Sequence, residues 1–246
     1  MFPITHIWFS RGILGHINNL TVLGSIFPDT AISGCLNHEQ THSGGWGLYK
    51  FFEDKYMEYL DFVKASVIHT VNPRGLDFYS DEEYGQGYKG YCFQKAQEIE
   101  EEVIDACNIP VEFGLWKAHN FIEMGIEVNI ATLEKGLVDV LHEGLNDSFL
   151  IGKLSSPLES YFGISNLSIY DCFKRFAGFV EVEDLNSYNL AKKYDIQMKT
   201  KHGIGIDVPK CCDIIEKSRI IVKDDFDDFI EYCSKKVNDT LREGDV

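Results

Sequence analysis

The sequence predicts an all-α protein, a single multi-helix domain built around a metal cluster. Apolar residues recur at helical spacing along most of the chain, and the alternation typical of strands is nearly absent. Hydrophobic residues make up 44% and aromatic residues 13% of the 246 residues, which is enough for a sizeable core and excludes a disordered chain. We expect one domain over residues 1–246, with a looser helical extension from about residue 180.

The individual elements follow from local patterns. The first helix is predicted over residues 3–17, because apolar residues recur there at helical spacing after Pro3. Residues 20–44 are expected to be irregular, because Pro28 and several glycines interrupt them. Residues 71–91, rich in Gly, are expected to form a long surface loop. Further helices are expected near 46–69, 92–107, 111–130, 132–146, 157–163, 167–179, 183–199, 210–222 and 225–242.

Charge and cysteine content restrict the class of protein. The formal net charge of −16 argues against a protein that binds nucleic-acid duplexes through a basic surface. It permits an enzyme that holds phosphate through metal ions, because the ions supply positive charge. The seven cysteines form no C-x-x-C pair, and Cys211 adjoins Cys212, so no disulfide framework is expected and a cytoplasmic location is predicted. Neither a signal peptide nor a membrane span is expected, and no feature specifies an oligomeric state.

A stripe of ligand-type side chains is predicted on one helix. His119, Glu123 and Glu127 stand four residues apart, so they share one face of a helix. The residues around them are mostly apolar, which indicates that the helix is buried. Two buried carboxylates one turn apart repel each other and are costly unless they are paired or bind a metal. A metal site and an exposed acidic edge both remain open from this segment alone.

A second candidate is the segment His38-Glu-Gln-Thr-His42, which matches the H-E-x-x-H motif of zinc proteases. In that motif both His bind zinc from one side of a helix and the Glu activates water. Gly34 before the segment and Gly44 after it make a continuous helix doubtful. Glu39-x-x-His42 is also half of a di-iron carboxylate motif, but no second copy is present.

The ordered motifs resemble the zinc-dependent phospholipase C family. They are Thr5-His6, Leu23-Gly-Ser-Ile-Phe-Pro-Asp29, Thr41-His42 and His119-x-x-x-Glu123. The most similar variant is the N-terminal domain of GPI-specific phospholipase D, and the fungal zinc single-strand nucleases are more distant. The resemblance covers about residues 4–45 and 115–130. It implies an all-α fold around two or three zinc ions.

The resemblance also implies which residues bind metal. The set that would hold one zinc is Asp29, His42, His119 and Glu123, and His6 would hold another with Glu123 as the bridge. Glu127 stands where the family usually has His, and Glu123 where it usually has Asp. Carboxylates also bind zinc, although harder oxygen ligands could shift the preference toward Mn, Fe or Mg.

Two further ligands are candidates. His38 is an alternative to His42, which is favoured because it follows Thr41 as in the family signature. His142, with Asp139 or Glu143 beside it, would replace the later His and acidic pair of the family.

The predicted function is hydrolysis of phosphoesters, chiefly phosphodiesters, in small molecules or lipids. Metal-bound hydroxide would attack phosphorus, with Asp29 and Glu123 as catalytic residues and Arg11 orienting the phosphate. One alternative is a zinc protease built on His38, Glu39 and His42. The other is a non-catalytic helical binding module that retains a degraded metal site.

Overall fold

The computed structural model describes residues 2–164 and 169–244, and in these residues the chain is helical without any strand. The prediction of an all-α fold is therefore confirmed. The α-helices are α1 (Pro3–Leu14), α2 (Asn19–Ile26), α3 (His38–His42), α4 (Gly45–Lys55), α5 (Leu60–His69), α6 (Tyr91–Ala96), α7 (Glu100–Cys107), α8 (Gly114–Leu133), α9 (Gly136–Asn146), α10 (Ser148–Phe162), α11 (Ile169–Val180), α12 (Ser187–His202), α13 (Val208–Ile221) and α14 (Phe226–Glu243). Within the described ranges, no helix combines the length and apolarity needed to cross a membrane.

The segment 20–44, expected to be irregular, is largely helical, so that prediction is wrong. Asn18 caps α2, because its side chain accepts a hydrogen bond from the Thr21 N–H and its own N–H donates to the Thr21 hydroxyl. Asn37 caps α3 in the same way. Between them Pro28–Ser33 forms a 3₁₀ helix with Pro at its start, where the missing N–H has no cost.

Other boundaries differ from the predictions for local reasons. The helix expected over 46–69 is divided at Tyr56 into α4 and α5. The helix expected at 157–163 begins earlier, at Ser148, because Asp147 caps it. Of the helix expected at 167–179, residues 167 and 168 lie outside the described residues, and α11 covers the rest.

The core is one hydrophobic cluster to which helices from α1 to α14 contribute. Helix α8 lies centrally and packs against α13, α6, α7 and α1. Helices α12 and α13 pack on each other and on α8, so the C-terminal part of the chain shares this core. Because α8 is surrounded in this way, the side chains His119 and Glu123 are held on a buried helix.

A disulfide joins Cys35, at the end of the 3₁₀ segment, to Cys172 in α11. The expectation that the cysteines form no disulfide is therefore wrong for this pair. The two residues are 137 positions apart, so spacing could not reveal the pairing. The other five cysteines are free. Disulfides are typical of oxidising compartments, and the cytoplasmic location stays a prediction.

Helices α2 and α5 pack closely at Gly24, where a Cβ would overlap the Phe62 carbonyl oxygen. We expect Gly24→Ala to destabilise the protein by about 3 kcal/mol, because two backbones would have to separate. Gly12 in α1 is the matched control, since a Cβ there meets nothing within 4 Å. Gly12→Ala should stabilise by about 0.5–1 kcal/mol through helix propensity. Urea unfolding measures both, and equal effects would contradict the close packing of α2 and α5.

Candidate metal centre

Four ligand-type side chains from separate elements meet in one group. Asp29, His42, His69 and Asp77 each place a ligand atom within 4.8 Å of those of the other three. Asp29 lies in the 3₁₀ helix, His42 and His69 are the last residues of α3 and α5, and Asp77 precedes a turn of π-helix at Phe78–Glu82. This group could hold a metal ion.

Asp77 lies at the centre of the group. Its Oδ2 is 3.1 Å from His69 Nε2 and 3.5 Å from His42 Nε2, and its Oδ1 is 3.3 Å from His6 Nε2. Burial acts to raise the pKa of Asp77, but its surroundings, including the imidazoles of His69 and His6, hold that pKa well below its usual range. Asp77 is thus an ionised carboxylate shared by three histidines.

Asp29 is a second carboxylate near the same imidazoles. Its carboxylate oxygens are 3.7 Å from His69 Nε2, 3.9 Å from His42 Nε2 and 4.0 Å from His6 Nε2. The side chain of Asp29 is 25% exposed, whereas that of Asp77 is 6% exposed. The two carboxylates therefore differ in access to solvent, and Asp29 is the more exposed of the two.

The imidazoles are oriented by contacts at their second nitrogen. His69 Nδ1 is 2.6 Å from the Ser25 carbonyl oxygen, to which it donates, so that Nε2 is the nitrogen that faces the carboxylates. His42 Nδ1 is 2.9 Å from the Thr41 hydroxyl. Histidine ligands of metals are commonly fixed by such outer contacts. Both rings therefore present the Nε2 atom to the carboxylates.

A second group lies beside the first. Asp81, His119 and Glu123 also have ligand atoms within 4.8 Å of one another. His119 and Glu123 share one face of α8, and Phe93 stacks on the His119 ring with the centroids 4.2 Å apart. Asp81 follows Asp77 by four residues, so the π-helical turn supplies one carboxylate to each group. Single π-helical turns often occur at functional sites.

Buried polar atoms show that the residues fit bound cations. Asp81 Oδ1 is buried and makes no hydrogen bond within residues 2–164 and 169–244, and the buried Nε2 atoms of His6 and His69 lie 3.1–4.0 Å from the oxygens of Asp77 and Asp29. Such atoms are costly unless a ligand satisfies them. Donors of imidazole and carboxylate type in this number are those that zinc and similar divalent ions take.

The pKa shifts in and beside both groups are consistent with bound cations. Burial, together with the neighbouring His69, lowers the pKa of His6 to about 4, which leaves a neutral imidazole. Burial, followed by the carboxylates of Asp81 and Asp77, raises the pKa of Glu123 to about 8. Burial likewise raises the pKa of Asp81 to about 6. A cation between these carboxylates would favour their ionised forms.

The two groups line one open cavity of about 670 Å³. Its wall also contains the cationic residues Lys89, Lys117 and Lys201. Burial lowers the pKa of Lys117 to about 8, so the ammonium form still prevails at pH 7. Pockets that hold whole small molecules have volumes of roughly 300–1,000 Å³.

The structure brings together five of the predicted metal ligands in and beside these two groups. They are His6, Asp29, His42, His119 and Glu123. The set expected to share one ion is divided, because Asp29 and His42 lie in the first group and His119 and Glu123 in the second. The division arises because Asp77 and Asp81 complete the groups separately.

Glu127 lies outside both groups. Its carboxylate accepts hydrogen bonds of 2.8 Å from the Ile4 N–H, the Thr5 N–H and the Thr5 hydroxyl. The N-terminus of α1 has unsatisfied N–H groups and favours a negative charge, so Glu127 caps it. The Glu127 carboxylate thus fixes the start of the helix that carries His6, and its expected role as a metal ligand stays a prediction.

Three further predicted residues lie apart from the groups. His38 is exposed and stacks on the His42 ring, with the centroids 3.8 Å apart. His142, on α9, belongs to neither group. Arg11 pairs with Glu134, with 2.9 Å between Nη2 and Oε1, and does not line the cavity.

The sequence reasoning missed His69, Asp77 and Asp81. His69 lies at the end of α5, outside any recognised motif, and the two acids lie in the segment expected to form a surface loop. The Asp77-x-x-x-Asp81 spacing was a usable signal, because it matches the spacing of His119 and Glu123. The spacing was not recognised as helical, because the glycines of this segment predicted a loop.

Comparison of the chain with protein-family models, with curated proteins and with solved structures gives no match. The resemblance to the zinc-dependent phospholipase C family therefore stays a prediction, and the interpretation of the site depends on its geometry.

The two groups predict a specific metal stoichiometry. Protein purified without chelators should contain two divalent ions per chain by plasma mass spectrometry. We expect His69→Ala and His119→Ala each to lose one ion, because each removes an imidazole from a different group. His16→Ala is the control, since His16 pairs with Asp61 at the surface. An unchanged metal content in both test variants would contradict the two-group site.

The position of Glu127 predicts a loss of stability without a loss of metal. Glu127→Ala should lower the free energy of unfolding by about 3 kcal/mol, because buried N–H groups of α1 lose their acceptor. Glu134→Ala, which breaks the partly exposed pair with Arg11, should cost less than about 1 kcal/mol. Chemical unfolding and metal analysis test this, and direct loss of an ion from folded Glu127→Ala protein would show that Glu127 is a ligand.

Proposed function

We propose that the protein is a metal-dependent phosphoester hydrolase of the zinc phospholipase C type. The observation that carries the proposal is the pair of neighbouring His and carboxylate groups on the wall of one open cavity. Paired metal sites are a common solution for phosphoester hydrolysis, because the substrate is anionic and needs concentrated positive charge. Because the chain has a net charge of −16, it would repel an anionic substrate without such positive charge.

Zinc is the ion that we propose. Asp29, His42, His69 and Asp77 would hold one ion, with His6 adjacent, and the second group would hold another. Imidazole nitrogens together with carboxylate oxygens are common zinc ligands. The second group has two carboxylates and one imidazole, which also admits Mn, Fe or Mg. When bound, such ions lower the pKa of water and offset the charge of phosphoester oxygens.

The two carboxylates of the first group would have different roles, because they differ in burial. Asp77 is buried and fixes the three imidazoles, so its role is positioning. Asp29 faces the cavity and is suited to accept the proton of the attacking water. Glu123, with Asp81, lines the adjoining part of the cavity, where the phosphoester would lie.

The zinc-protease alternative is less well supported. Helix α3 is only five residues long, and both His38 and Glu39 are exposed. The Nε2 atom of His42 lies beside Asp29 and Asp77, and the His38 ring stacks on the His42 ring. Glu39 does not line the cavity, so it is poorly placed to activate water there.

Hydrolysis of bis(p-nitrophenyl) phosphate by protein loaded with zinc or another divalent ion tests the proposal. We expect Asp29→Asn to lower kcat by at least about 100-fold, the usual contribution of a general base. Glu39→Gln is the matched control and should retain full activity. Hydrolysis of a peptide that depends on Glu39 would favour the protease. The absence of hydrolysis with every ion would instead favour a non-catalytic binding module.

A further inference from the structure

A buried lysine lies in the cavity wall of this acidic protein. Lys117, in the first turn of α8, is only 7% exposed. Its Nζ is 3.3 Å from His202 Nε2 and 4.0 Å from the centroid of the Trp116 ring. Within the described ranges, no carboxylate lies within ion-pair distance of it. Lys201, Lys117 and His202 all line the same cavity.

The contacts of Lys117 with the His202 ring and the Trp116 ring supply no negative charge to balance its ammonium group. A lysine at the start of a helix meets the positive end of the helix dipole, which is unfavourable. A buried ammonium without a carboxylate is also costly. Lys201, by contrast, lies in the last turn of α12, where positive charge is favourable. Burial, followed by Lys117 and Lys201, lowers the pKa of His202, so its ring is neutral and its Nε2 accepts a hydrogen bond from Lys117. An anion bound between these two residues and Lys117 would offset the unfavourable position of the buried cation.

The lysine lies apart from the metal groups along the cavity. Within residues 2–164 and 169–244, no ion pair joins the Lys117 Nζ to Asp81 or Glu123 of the second group. Asn120 and Tyr194 lie on the same wall and are joined by a hydrogen bond of 3.1 Å. The cavity volume of about 670 Å³ accommodates a ligand that reaches from the metal groups to this wall.

We propose that Lys117, Lys201 and His202 form a second anion subsite, which binds an additional phosphate or carboxylate of a doubly anionic phosphoester substrate. The inference rests on the proposed function for the scissile phosphoester at the metal groups. The second anion could belong to a soluble compound or to a lipid headgroup, and both sources share the same chemistry.

A pair of soluble substrates tests the subsite. Thymidine 5′-(p-nitrophenyl phosphate) and its 3′-phosphorylated form both release p-nitrophenolate on hydrolysis and differ by one phosphate group. We expect kcat/KM to be at least about tenfold higher with the 3′-phosphate, and Lys117→Met to abolish that preference. Lys117→Arg should retain most of it. Lys153→Met is the control, because Lys153 has a similar contact with an aromatic ring but does not line the cavity.

A parallel pair in mixed micelles identifies the source of the anion. Phosphatidylinositol 4-phosphate is compared with phosphatidylinositol in the same four proteins. A preference that depends on Lys117 in the micelle pair alone assigns a lipid substrate, and one in the soluble pair assigns a soluble substrate. If wild type hydrolyses these substrates and neither pair shows a preference that Lys117→Met removes, the subsite does not serve the substrate and the proposal is overturned.

Binding of inorganic phosphate separates this proposal from the proposed function. Isothermal titration of the full chain after chelation should show phosphate binding that is about tenfold weaker in Lys117→Met than in wild type or Lys153→Met. If that difference appears while no phosphoester is hydrolysed, the subsite stands and the hydrolase function fails. If phosphate binds wild type and Lys117→Met equally, the subsite is overturned even when the enzyme is active.

Discussion

The buried carboxylate of Asp77 is the group on which the geometry of the site depends. Three imidazoles, from His6, His42 and His69, approach its two oxygens within 3.5 Å. These histidines come from α1, α3 and α5, so a single carboxylate ties together three helices that are separate in sequence. Burying the Asp77 carboxylate is costly, and its contacts with the three imidazoles offset part of that cost. The Nε2 atoms of the three histidines therefore all face the Asp77 carboxylate.

The hydrophobic core positions this arrangement through backbone contacts. Gly24 lets α2 approach the backbone of α5 at Phe62, and the neighbouring Ser25 carbonyl then accepts the Nδ1 proton of His69. On the opposite side, Glu127 of α8 holds the first turn of α1 and thereby fixes the start of the helix that carries His6. Helix packing and ligand orientation are therefore coupled, and a change in the core would be transmitted to the site.

Much of the fold and half of the site could be predicted from the sequence, for identifiable reasons. Helical periodicity is a local property, so it revealed the all-α class and the stripe of His119 and Glu123. Asp29 and His42 were found because short motifs surround them. Asp77 was not predicted because it lies at the start of a five-residue turn, which is too short to show helical periodicity. The disulfide and the partition into two groups depend on contacts between distant segments, and no local pattern encodes such contacts.

The cavity wall contains the carboxylates of the two groups and also the lysines Lys89, Lys117 and Lys201. The cavity thus has an acidic and a basic part, although the net charge of the chain is −16. The central claim is that each group binds its own metal ion. Anomalous diffraction at the zinc absorption edge, from crystals grown with zinc, tests this most directly. The account predicts two peaks, one among Asp29, His42, His69 and Asp77 and one among Asp81, His119 and Glu123. A single peak between His38 and His42, or no peak in the cavity, would contradict it.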